Sequence, residues 1–143
     1  MAPDSTSEIV VGGALGHLAP RVVRRAVEHV LRGEQRSAAV AVTFLGARRM
    51  QAMNLHYKSH DEPTDVLSFP LPLPDGTLTG DVYICRLAAA REAHQRSLPV
   101  REELIRLVVH GTLHILGYDH PEDATRTASP MWRRQERYVR ELS

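Results

Sequence analysis

Cysteine is almost absent from this chain. Cys85 is the only one among 143 residues, which excludes a disulfide framework and leaves no Cys-x-x-Cys pair to close a structural metal site. A lone thiol fits a reducing compartment, so the cytoplasm is the expected location. No apolar run approaches the roughly 18 residues that a membrane span requires, and the N-terminus lacks the charged-then-apolar pattern of a secretory signal. No membrane partner is therefore expected. The formal net charge is only +1, so the molecule is no polycation, and any nucleic-acid contact must come from a local patch. Lysine is nearly missing too. Lys58 is the one lysine among 18 basic residues, which makes the arginine count uninformative and the single lysine conspicuous.

What is present suffices for one domain. With 43% hydrophobic residues the chain can bury a real core. We expect residues 1–143 to form a single domain, with residues 1–7 loose. The patterning reads as α+β. Strands are predicted over residues 8–11, 38–45, 65–69 and 78–85, and helices over 20–32, 47–56, 87–95, 100–116 and 130–142. Gly33 to Arg36 reads as a turn, as does Pro74-Asp75-Gly76. Arg21, Arg24 and Arg25 on one helix and Arg133, Arg134, Arg137 and Arg140 on another fit ordinary solvated faces. The alternative is a groove that tracks phosphates.

The most informative run is His110-Gly111-Thr112-Leu113-His114-Ile115-Leu116-Gly117-Tyr118-Asp119-His120. Histidines four apart stack on one helix face. Gly117 can end the helix in the left-handed conformation, and the turn returns His120 toward the same point. Three converging imidazoles make an open zinc site, the arrangement of catalytic rather than structural zinc. The spacing is that of the metzincin proteases. Those enzymes carry glutamate directly after the first histidine as general base. Here that place is Gly111, so the proteolytic machinery is absent. Gly111 serves close approach of a strand or of substrate, or packing alone. Leu104, Leu107, Val108, Gly111 and Ile115 share one side of the helix and should pack on the sheet, opposite a polar side with Glu103 and Arg106.

These motifs, together with Pro63-Thr64-Asp65-Val66-Leu67-Ser68-Phe69-Pro70 and Gly80-Asp81-Val82-Tyr83-Ile84-Cys85, resemble the signatures of the YbeY family of bacterial endoribonucleases. The likeness runs from about residue 8 to the C-terminus. It implies an α+β fold with a small mixed four-stranded sheet flanked by about five helices and a zincin-like metal helix. It also implies a zinc-dependent, single-strand-specific endoribonuclease. The expected role is ribosomal RNA processing, 16S 3′ end maturation and ribosome quality control, with one Zn2+ per chain. The implied partners are RNA and the small ribosomal subunit with its proteins, and no DNA.

The expected ligands are His110, His114 and His120. The family's usual arginine after an Asn-x-x-Tyr stretch is replaced here, because Asn54-Leu55-His56-Tyr57 is followed by Lys58. Lysine keeps the charge and loses the planar fork, so Lys58 is expected to neutralise the scissile phosphate as a point charge. His60 and Ser68 are further substrate-binding candidates. Asp119 is a candidate base or a support for an imidazole, with helix capping as its plain alternative. Trp132 and Tyr138 read as core rather than base-stacking platforms. Two rivals remain. One is a ribosome-assembly factor in which zinc only holds the fold. The other is a metallohydrolase that is not a nuclease.

Overall fold

The computed structural model describes residues 7–16, 18–58, 64–121 and 123–143, and for Lys58 its backbone only. Among these residues the chain runs β1 (Glu8–Gly13), α1 (Pro20–Glu34), β2 (Ala38–Leu45), α2 (Ala47–Lys58), β3 (Val66–Pro70), β4 (Leu78–Cys85), α3 (Arg86–Gln95), α4 (Val100–Ile115) and α5 (Pro130–Leu142). A 3-10 turn, Ala124–Ala128, precedes the last helix and had no signal in the sequence. The sheet is mixed, ordered β1-β2-β4-β3. The β1–β2 and β2–β4 pairs are parallel, and β3 lies antiparallel to β4 at the edge. This is the expected α+β arrangement.

Alternation along the strands divides the core. Val40 and Val42 of β2 and Val82 and Ile84 of β4 point to one face, where they meet Val23, Val27 and Val30 of α1 and Leu104, Val108 and Ile115 of α4. The other face carries a smaller cluster of Met50, Leu67 and Cys85, flanked by Phe69 and Tyr83. Prolines fix the helix starts: Pro20 and Pro130 occupy first-turn positions of α1 and α5, where the missing N–H has no intrahelical partner to lose. Ser129 caps α5 by accepting from the Trp132 N–H at 3.2 Å.

Helix α4 departs from the expected two-sided pattern. Burial extends nearly all round it, and Glu103 and Arg106 are only 2% and 6% exposed. They tolerate burial because they are paired: Arg106 donates to Glu103 at 2.9 Å, to Glu102 at 3.1 Å and to Glu136 of α5 at 2.8 Å. Helix and sheet approach so closely that each needs a glycine. A Cβ on Gly80 would lie 2.2 Å from the Ile115 Cδ1, and one on Gly111 would lie 2.5 Å from a Val82 methyl. Of the readings open for Gly111, strand approach is the one realised.

The expected turn at 33–36 also shifts. Gly33 and Glu34 complete α1, and Gln35 takes the left-handed cap with φ 55°. Gly33 stays helical without a side chain because the Tyr138 ring of α5 occupies the space its Cβ would need. Of the segment expected to be loose, residues 1–6 lie outside the described residues. Ser7 is described, and its Oγ accepts from the Ala38 N–H at 3.3 Å.

Candidate metal centre

The last turn of α4 and the loop behind it build the centre. A six-to-one bond from the Tyr118 N–H to the Leu113 carbonyl and a five-to-two bond from the Gly117 N–H to the His114 carbonyl, both 3.0 Å, form a Schellman cap. Gly117 holds φ 103° at its centre, a conformation that penalises any Cβ. The cap reverses the chain and brings His120 back over the helix. Ligand atoms of His110, His114 and His120 then lie within 4.8 Å of one another. Among the described residues this is the cluster that could hold a metal ion.

Hydrogen-bond directions assign the ring protons. The His114 Nδ1 lies 2.9 Å from the Tyr118 carbonyl oxygen, and the His120 Nδ1 lies 2.9 Å from that of Pro121. A carbonyl only accepts, so each Nδ1 carries a hydrogen in these bonds. The His110 Nδ1 lies 2.7 Å from Gln135 Oε1, an acceptor of the same kind. All three Nε2 atoms are therefore left with lone pairs. The Nε2 atoms of His110 and His114 face each other at 3.1 Å, a close approach of two acceptors that a shared cation explains. Zinc–nitrogen bonds of about 2.0–2.1 Å in a tetrahedral site place imidazole nitrogens roughly 3.3 Å apart, so the pair fits. Burial, with a smaller contribution from the neighbouring His114, lowers the His110 pKa to about 4, which keeps the ring neutral, as a ligand must be.

Beside His110 opens a cavity of about 80 Å3, lined by Asp65, Arg96, Arg106, Arg126, Trp132 and Gln135 among others. Trp132 was expected in the core. It is instead half-buried on this wall, with the Arg126 guanidinium 5.7 Å from its ring centre. Burial raises the pKa of Asp65. Tyr138 is fully buried as expected.

The other candidates fall as follows. Ser68 on β3 points at α4, its Oγ 3.1 Å from where a Gly111 Cβ would stand. That hydroxyl is buried with no hydrogen-bond partner among the described residues. Asp119 is exposed, and its Oδ1 accepts from the His120 N–H at 2.8 Å, so it braces the loop that carries the third histidine. Lys58 is the final residue of α2, and His60 lies outside the described residues. The arginines of α1 stand exposed, as a solvated face should. Those of α5 are partly engaged internally: Arg134 donates to Glu34 at 2.9 Å and Arg133 to the Ala128 carbonyl at 2.8 Å.

Gln135 escaped the sequence reading, as did Glu34. Glu34 accepts from Tyr118 Oη at 2.6 Å, from Tyr138 and from Arg134. It thereby ties the metal loop to α1 and α5. Partners 25, 84 and 104 positions apart leave no local pattern to read.

A mixed sheet backing a helix that carries two histidines, with a third returned by a glycine-capped loop, defines a zincin-like α+β domain. The chain matches the family described as Endoribonuclease YbeY over residues 15–143, and it belongs to that family. It is 39% identical over 107 residues to a protein named Endoribonuclease YbeY from Stenotrophomonas maltophilia (strain K279a), covering 70% of this chain and 66% of that one. The chain thus spans just under two thirds of that relative's length in the match. The solution structure of TM1509 from Thermotoga maritima is similar with a TM-score of 0.66 and 28% identity, covering 94% of this chain and 88% of that one. Among the described residues no helix is long and apolar enough to cross a membrane.

Proposed function

We propose that this protein is a zinc-dependent endoribonuclease that cuts single-stranded RNA, acting in the cytoplasm on ribosomal RNA in contact with the small ribosomal subunit. The observation that carries the metal half of this reading is the convergence of three Nε2 lone pairs, each left by a ring whose Nδ1 hydrogen is already committed. The family name supports the RNA half. His110, His114 and His120 would hold the ion, which supplies Lewis-acid chemistry at a phosphoryl oxygen and leaves a coordination position open to substrate. A purely structural zinc normally takes four protein ligands, which disfavours an assembly factor without catalysis.

The chain's own residues do the rest. Lys58, at the end of α2, adds positive charge to balance the negative charge that phosphodiester cleavage builds on oxygen. His60 and Ser68 are the further substrate-binding residues, and the buried Ser68 hydroxyl has no hydrogen-bond partner among the described residues. Asp119 acts through His120, holding its backbone so that the ring meets the other two. Gly111 leaves no carboxylate where a zinc protease has its base, so peptide hydrolysis is not supported.

The test compares cleavage of a single-stranded RNA by zinc-loaded parent protein, by His114→Ala and by chelated parent. The expected result is cleavage that scales with bound zinc and vanishes in both controls. Zinc binding by the parent with no cleavage of RNA, either free or in the small ribosomal subunit, would favour the assembly factor.

A further inference from the structure

Behind His110 stands a chain of polar groups, buried at Gln135 and Arg106 and half-buried at Glu136, whose hydrogen bonds can run in one direction only. Arg106 is a pure donor, and its guanidinium grips Glu136 with two bonds, Nε to Oε2 at 2.8 Å and Nη2 to Oε1 at 2.9 Å. Glu136, held as a carboxylate, is a pure acceptor, and hydrogen bonds from Arg106 and Gln135 outweigh its burial to keep its pKa low. It therefore takes a hydrogen from the Gln135 amide nitrogen, Nε2 to Oε2 at 2.9 Å. That bond decides which way the amide of Gln135 faces, which geometry alone does not reveal. The carbonyl Oε1 is left to meet His110 at 2.7 Å. Gln135 is 1% exposed, so the contact is shielded from bulk solvent.

We infer that Gln135 of α5 is the positioning residue of the metal centre. Directed by Glu136 and Arg106, it locks His110 in the Nδ1–H tautomer before any ion arrives. Free imidazole side chains in water favour the opposite, Nε2–H form, which cannot ligate through Nε2. The relay removes that choice and fixes the ring plane, the role that outer partners play behind metal-bound histidines. His114 and His120 are oriented differently, by main-chain carbonyls of their own loop. His110 takes its partner from another helix, α5.

This inference rests on the metal reading above for its purpose, but its direct test does not. Ring-nitrogen NMR of metal-free protein at mildly alkaline pH reports the tautomer of His110. The parent should show a single Nδ1–H form, and Gln135→Leu should lose it. Glu136→Gln removes the carboxylate that directs the amide and should let the Nε2–H form appear. Zinc affinity, read by competition with a chromophoric chelator, should weaken roughly 10- to 100-fold in Gln135→Leu and by less in Glu136→Gln.

An Nε2–H tautomer in the parent would overturn the relay whatever the variants do. So would a Gln135→Leu protein with parental tautomer and parental affinity. A parent that binds no zinc while showing the Nδ1–H form would sink the metal reading and leave the relay standing.

Discussion

The helical histidines and the loop histidine are built on different principles. His110 and His114 stand on α4, a helix buried nearly all round and wedged against the sheet through Gly80 and Gly111. His120 stands on an exposed turn, its ring bonded to the carbonyl of the very next residue and its backbone to Asp119. The helix pair is fixed by long-range packing, whereas the loop histidine is fixed by bonds to its two neighbours in sequence. Two of the three candidate ligands therefore sit on a packed helix, and the third sits on a turn outside it.

Substitutions sharpen that contrast, and the largest effects should come from the ligands. His110→Ala and His114→Ala should abolish stoichiometric zinc binding. His120→Ala should leave weak residual binding by the rigid pair, measured by metal analysis after dialysis against a graded chelator series. Equal loss in all three would erase the distinction between helix and loop. Next comes Gly111→Val, whose side chain has no room against Val82 and Ser68. It should lower stability by about 1–3 kcal/mol in denaturant titration and cut zinc affinity, because both helical ligands move with α4.

Glu34→Gln tests the tie between the loop and the body. It removes the charged acceptor shared by Tyr118, Tyr138 and Arg134 and should cost about 1–3 kcal/mol. Burial raises the Glu34 pKa, but bonds from Tyr118, Tyr138 and Arg134 outweigh it and leave the carboxyl below its usual 4.5. Its contribution is therefore fully present above that value and is lost as pH falls through the lower folded value. Stability of the parent should fall on acidification in that window more steeply than that of Glu34→Gln, as chemical denaturation at successive pH values will show. The smallest effect belongs to Gly117→Ala. Its Cβ meets nothing, so only the positive φ is penalised, by about 1–2 kcal/mol.

Element order was legible because it follows from local chemistry, and β2, β4 and α5 carry the predicted boundaries, whereas β1 runs two residues past the predicted 8–11 and β3 lies one residue later than 65–69. The histidine trio was legible for the same reason, since helical spacing and one glycine bring it together. Buried Arg106 was misread as part of a polar face, because its partners Glu102 and Glu103 are local but Glu136 lies 30 residues on. Trp132 read as core rather than a base-stacking platform, but it is half-buried and lines the cavity beside His110. Gln135 looked like any polar residue on a helix. Its role appears only when α5 packs across α4.

The most direct test of the account is a zinc titration of metal-free protein that follows binding and single-strand RNA cleavage in one experiment, alongside His114→Ala. The account predicts that both signals rise together, saturate at one zinc per chain, and stay flat in the variant. Cleavage that is already complete before zinc is added, or that persists in His114→Ala, would contradict it.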